Sequence, residues 1–169
     1  AGADRVHGTI LGIGERVGNT PLDLLLVNLK LLGVGDRDLS TLAGLVDLVA
    51  ESCHWDIPVS YPVFGEDAFR TGTGVHAAAV IKAERRGDTW LSDRIYSGVP
   101  ASWFGRRQEI AIGHMSGESN IRYWLSKRGI DGPDTLVRAI FEEAKTTNTL
   151  LTDEQVLAVV QKMSESPLN

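Results

Sequence analysis

Cysteine is nearly absent from this sequence. Cys53 stands alone, so no internal disulfide can form, and no Cys-x-x-Cys or local Cys/His pair surrounds it. That points to a reducing compartment and a cytoplasmic setting, with Cys53 expected as a small, half-buried apolar side chain. A run of about 18 apolar residues is also missing. The nearest candidate, Leu22 to Leu32, is interrupted by Asp23, Asn28 and Lys30. No transmembrane span is therefore expected, and without a basic start leading into an apolar stretch no signal peptide is expected either. Basic excess is lacking too: a net charge of −5 and a pI near 5.3 argue against a nucleic-acid partner or an anionic membrane surface. There is no internal repeat and no low-complexity segment. What is present has globular proportions, 43% hydrophobic and 23% charged, over 169 residues, about the length of one domain.

The most informative stretch is Val6 to Asn19. An apolar, strand-like start (Val6, Ile10, Leu11) runs into a turn containing Gly12, Gly14 and Gly18, with Glu15, Arg16 and Asn19 crowded into it. Thr20-Pro21-Leu22-Asp23 then reads as a helix start, with Thr20 as N-cap and Pro21 in the first helical position. A phosphate-cradling Gly-x-Gly-x-x-Gly begun at Gly12 would need its third glycine at position 17, where Val17 stands. A tight strand-to-helix turn accounts for the glycines, but not for a carboxylate, a guanidinium and a carboxamide in the same place.

Gly12-Ile-Gly-Glu15-Arg16-Val-Gly18-Asn19, preceded by His7-Gly8-Thr9, resembles the last barrel strand of the 2-isopropylmalate synthase and homocitrate synthase family. The resemblance continues through Pro58 to Phe69, Gly74-Val75-His76, Tyr96 with Gly105-Arg106, and Ser116-Gly117, so it covers nearly the whole chain. It implies an α/β fold: residues 1–35 as the eighth strand and helix of a truncated TIM barrel, residues 36–169 as a linker and a mostly helical subdomain. Most of the barrel would then lie upstream, since a complete one takes about 250 residues.

In order along the chain, Val6 to Leu11 is expected as a buried strand and Thr20 to Leu32 as a helix stopped by Gly33. That helix is apolar on more than one face, which predicts burial on two sides or an interface. A second helix should start at Asp38 or Ser40, with Leu39, Leu42, Leu45, Val46 and Val49 inward. His54 to Phe69 reads as an ordered loop. Thr73 to Arg86 reads as a helix, Gly87 to Trp103 as loop, and Arg107 to Gly113 as a short extended segment. Helices are predicted over Ser119–Arg128, stopped by Gly129, and over Pro133–Lys145. A last one opens with the capping box Thr152-Asp-Glu-Gln155. The tail from Ser164 to Asn169 is expected to fray.

The resemblance implies a Claisen-type condensation of acetyl-CoA with a 2-oxo acid, followed by thioester hydrolysis. Such chemistry needs a divalent cation (Mg, Mn or Zn) to polarise the oxo acid, and groups that move protons. By resemblance most of the metal ligands lie upstream, and Asn19 alone matches a metal position here; a helix-start cap is its competing role. Glu15 and Arg16 are expected to brace the Asn19 turn, against a plain surface ion pair. His76 matches the family's catalytic subdomain histidine, and Tyr96 the tyrosine that assists it. Around them Thr73-Gly74-Val75 replaces the commoner Ser-Gly-Ile, and Ser97 to Trp103 lacks the usual acidic residue, which leaves the acceptor open. Ser116 and Gly117 could cradle part of CoA or simply cap a helix. His7 is expected in the core, and His54 and His114 as structural residues. The family also implies a homodimer whose subdomain reaches the partner's site. Two rivals stand beside a 2-isopropylmalate, homocitrate or citramalate synthase: a non-catalytic dimerisation and lid module, and an aldolase or lyase sharing the metal barrel.

Overall fold

A computed structural model describes residues 2–165 as two compact units. The first comprises residues 2–69 and 97–107, the second residues 70–96 and 108–165. Among the described residues, no helix is long and apolar enough to cross a membrane.

The first unit is built on two helices, α1 (Leu22–Leu31) and α2 (Leu42–Ser52). The strand expected over Val6 to Leu11 does not form. Leu11 has φ +59° and Gly12 φ +66°, so the chain coils into a short 3₁₀ turn at Ile10–Gly12, and only Thr9 makes a bridge, to Pro21. A strand needs a hydrogen-bonded neighbour along its length, and among the described residues none lies beside this segment. Helix α1 begins at Leu22, so Pro21 and not Thr20 is the N-cap residue, and no side chain caps it.

Gly33 stops α1 as expected. At φ +72° it donates to the Lys30 carbonyl while Val34 donates to Leu29, the paired bonds of a Schellman closure. His54 does the same for α2 from φ +49°, with Trp55 donating to Ala50, so its role is backbone geometry. Helix α2 starts later than Asp38 or Ser40 because Asp38 Oδ1 takes the Ser40 N–H in a local turn. Its inner face is Leu42, Ala43, Val46 and Ala50; Leu45 is exposed. Cys53 and His7 are both exposed, contrary to expectation. The Pro58–Phe69 loop contributes Val63, Phe64 and Phe69 to the core, where Ala101 and Phe104 of a second 3₁₀ turn (Ala101–Phe104) join them. Arg106 clasps the loop, donating to the carbonyls of Phe64 (2.9 Å) and Gly65 (3.2 Å).

The second unit holds a two-stranded parallel sheet, β1 (Arg70–Thr71) and β2 (Glu109–Ile110), in which Arg70 pairs with Glu109. Around it lie α3 (Gly74–Arg85), the single turn α4 (Thr89–Ser92), α5 (Glu118–Lys127), α6 (Asp134–Lys145) and α7 (Asp153–Glu165). Helix α4 and the 3₁₀ turn replace the uninterrupted loop expected from Gly87 to Trp103. Helices α5 to α7 enclose one cluster centred on Ile112, Ile121, Leu125, Val137 and Ile140; Ala77, Val80, Ile81 and Ile110 form another beneath α3. The expected capping box is present: Thr152 N–H reaches Gln155 Oε1 at 2.8 Å, and Gln155 N–H reaches Thr152 Oγ1 at 3.3 Å. Ser164 and Glu165, expected to be frayed, continue α7. The rest of that tail lies outside the described residues.

Candidate functional site

The Asn19 turn is closed by backbone. The Asn19 N–H donates to Gly12 O at 2.8 Å and the Gly18 N–H to Glu15 O at 2.9 Å, while the Thr9 N–H and Thr20 O meet at 3.1 Å. Gly18 is obligatory here: at φ +86° its Cβ would lie 2.1 Å from the Gly12 carbonyl oxygen. Beneath the turn sits Asp23, with no solvent exposure, accepting from the Leu11 N–H at 2.8 Å and the Tyr61 hydroxyl at 2.9 Å. Burial, reinforced by the bond to Asp23, holds the Tyr61 phenol above its usual range.

Glu15 and Arg16 project into solvent, and neither side chain has a partner among the described residues. The bracing expected of them comes instead from the backbone bonds. Asn19 does not cap α1. Its Nδ2 donates to the Ile13 carbonyl at 3.3 Å, and Oδ1, a hard oxygen on an exposed side chain, has no hydrogen-bond partner among the described residues. That fits one coordination position of a hard divalent cation and no more. Among the described residues no group of three His, Cys, Asp or Glu side chains could hold a metal ion. A complete metal centre is therefore not built by this chain's described residues.

In the second unit the structure brings His76 and Tyr96 together. Their rings stack with centroids 4.1 Å apart and planes inclined by 30°. His76, in the first turn of α3, is exposed, and Tyr96 is 49% exposed, so both rings are open to solvent. Ile95, next to Tyr96, packs into the cluster with Ala77, Val80 and Ile81, which fixes Tyr96 against α3. A stacked imidazole and phenol with free edges can pass a proton to and from a bound carbonyl compound.

Ser116 is committed elsewhere. It is buried, and its Oγ donates to the Gly72 carbonyl at 2.6 Å and accepts from the Gly113 N–H at 2.9 Å. Gly117 is the N-cap of α5, its N–H held by Asn120 Oδ1 at 3.3 Å. This is the capping arrangement, and it leaves the Ser116 hydroxyl nothing to offer CoA. His114 is exposed, and its carbonyl accepts from Lys145. Sequence reasoning missed the pairing of Asp23 with Tyr61, and took Asn120 only as the end of the Ser116–Asn120 stretch that could cradle part of CoA or cap a helix. The first two are 38 residues apart, with no local signal linking them. Asn120 does have one, its place in the first turn after Gly117, where a side-chain amide oxygen can reach back to the N-cap N–H.

No family model matches the chain. The (R)-citramalate synthase of Aquifex aeolicus is 36% identical over 135 residues, which cover 78% of this chain and 24% of that protein. The homocitrate synthase of Pyrococcus abyssi is 31% identical over 166 residues, covering 98% of this chain and 43% of the relative. A homocitrate synthase of Methanopyrus kandleri is 29% identical over 171 residues, covering 98% and 41%. The chain thus spans less than half the length of these curated relatives. It belongs to the 2-isopropylmalate synthase and homocitrate synthase family.

Proposed function

We propose that this chain works as part of a synthase that condenses acetyl-CoA with a 2-oxo acid in a Claisen-type reaction and then hydrolyses the thioester. The observation that carries the reading is the stack of His76 on Tyr96, two residues singled out from separate motifs and found 4.1 Å apart with both rings open to solvent. A non-catalytic lid has no need of an exposed imidazole held against a phenol.

In this reading His76 moves the proton at the reacting carbonyl oxygen or the acyl carbon, and Tyr96 orients its ring or relays through water. Asn19 supplies one oxygen ligand to a divalent cation (Mg, Mn or Zn), which when bound polarises the 2-oxo acid. Glu15 and Arg16, without side-chain partners among the described residues, face the substrate end of the same turn. Residues 1–35 are the closing part of a TIM barrel, with Val6 to Leu11 becoming a strand once neighbouring strands pair with it. Residues 36–169 form the linker and subdomain, in a cytoplasmic homodimer whose subdomain serves the partner's site. The relatives named above are citramalate and homocitrate synthases, so we place those two products ahead of 2-isopropylmalate, the leucine-pathway product.

Thiol titration of CoA release decides the matter. A synthase carrying this chain is expected to release CoA from acetyl-CoA with pyruvate or 2-oxoglutarate, and less with 2-oxoisovalerate. Release that depends on none of the three overturns the proposal.

A further inference from the structure

We propose that Asn120, together with Ser116, is a positioning residue for the His76–Tyr96 pair, acting through the Gly72 carbonyl just ahead of α3; this rests on the catalytic reading of that pair. Asn120 has no solvent exposure, and Ser116 is buried beside it. The Asn120 amide donates to two carbonyls, Ala111 at 2.9 Å and Gly72 at 3.1 Å, while its Oδ1 accepts from Gly117. Ser116 Oγ donates to Gly72 at 2.6 Å, lies 3.3 Å from the Ala111 carbonyl, and accepts from Gly113. Gly72 follows β1 and Ala111 follows β2, so this knot fastens both strand ends to the first turn of α5.

Among the described residues no buried side-chain polar atom lacks a partner. A fully satisfied buried network has one favoured arrangement, because any shift breaks bonds where water cannot replace them. From Gly72 the chain reaches the start of α3 in two residues. There the Gly74 N–H donates to the Met115 carbonyl at 3.0 Å, and a Cβ on Gly74 would sit 2.7 Å from the Gly117 nitrogen. His76 lies two residues further on. Tyr96 has its own support through Ile95. The knot therefore governs the imidazole side of the stack, and its loss should separate the rings without dismantling the hydrophobic clusters.

Stacking places the His76 ring hydrogens in the shielding field of Tyr96, displacing their proton resonances upfield. Spectra of the full chain read this directly, and Tyr96→Leu gives the unstacked reference. Asn120→Ala is expected to lose most of the displacement. Asn120→Asp, which keeps the acceptor toward Gly117 and removes both donors, should do the same. Ser116→Ala should lose part of it, and Ile140→Val, which trims the other hydrophobic cluster, should keep it. Displacement retained in the folded Asn120 variants overturns the proposal. Loss of it in Ile140→Val also does, since the stack would then be following stability alone. If both Asn120 variants fail to fold, Ser116→Ala decides, and an unchanged displacement there overturns the proposal. In the synthase, kcat of Asn120→Ala should fall with the displacement at little change in KM. An unaltered kcat in His76→Ala, alongside shifts that move as expected, removes the catalytic reading and leaves the positioning intact.

Discussion

A carboxylate sealed from solvent survives at Asp23 because the Leu11 N–H and the Tyr61 hydroxyl both donate to it. The cost of removing one donor is that of a bond to a charged group, about 1.5–3 kcal/mol. Tyr61→Phe is expected to lower the unfolding free energy by that amount at neutral pH, measured by urea titration. The pH dependence has a definite sign. The folded-state phenol is held above its ordinary value of 10.0, so the folded protein keeps a proton that the unfolded chain gives up. The contribution is complete below about pH 10 and is lost as pH rises beyond it. Stability should therefore fall on the alkaline side, and Tyr61→Phe should blunt that fall. Asn19 makes a separate test. Its amide is anchored by one exposed bond, so Asn19→Ala should hardly change the melting temperature, yet in the synthase it should weaken Mn binding by about 10–100-fold. Unchanged Mn affinity would rule out the ligand role. None of Asp23's environment was legible in the sequence, where it reads simply as an acid in the first turn of a helix.

At the scale of elements, helices with a 3.6-residue apolar period and a marked end were legible. Helices α5 and α6 lie within about a residue of their expected bounds, and α7 opens on its capping box. What failed were elements that depend on distant partners. Val6 to Leu11 has strand composition and, among the described residues, no strand beside it. β1 is too short to show alternation and exists only because Glu109 and Ile110 come alongside. Glycine shows the same divide. Gly44, in α2, has open space where a Cβ would go, whereas a Cβ on Gly74 would meet backbone. Gly44→Ala is expected to stabilise by about 0.4–1 kcal/mol. Gly74→Ala should destabilise by about 1–3 kcal/mol as α3 is pushed from α5. Denaturant midpoints of the two variants should thus move in opposite directions, and the same direction for both would contradict the close packing at Gly74.

For the whole molecule, no group of three His, Cys, Asp or Glu side chains among the described residues could hold a metal ion, so the isolated chain should not turn over acetyl-CoA with any 2-oxo acid. Measured turnover by this chain alone would remove the reading of a shared active site. In the synthase, His76→Ala or Tyr96→Phe should lower kcat by about 10²–10⁴-fold. Mixing His76→Ala subunits with subunits lacking the metal site should restore part of the activity if the subdomain serves its partner; no recovery would place each pair with its own barrel. The His76–Tyr96 pair was legible because both residues sit in motifs, while its support by Asn120 was not, because burial and carbonyl partners appear only in three dimensions. The path of the chain has a consequence of its own. It passes from the first unit to the second at Phe69, returns at Ser97, and leaves again after Arg107. On the ribosome, Arg70 must therefore wait for Glu109, roughly 40 residues and about 2–8 s of synthesis at about 5–20 residues/s. During that interval neither unit can close, and the nascent chain carries both half-built cores at once, the period in which a chaperone would find it.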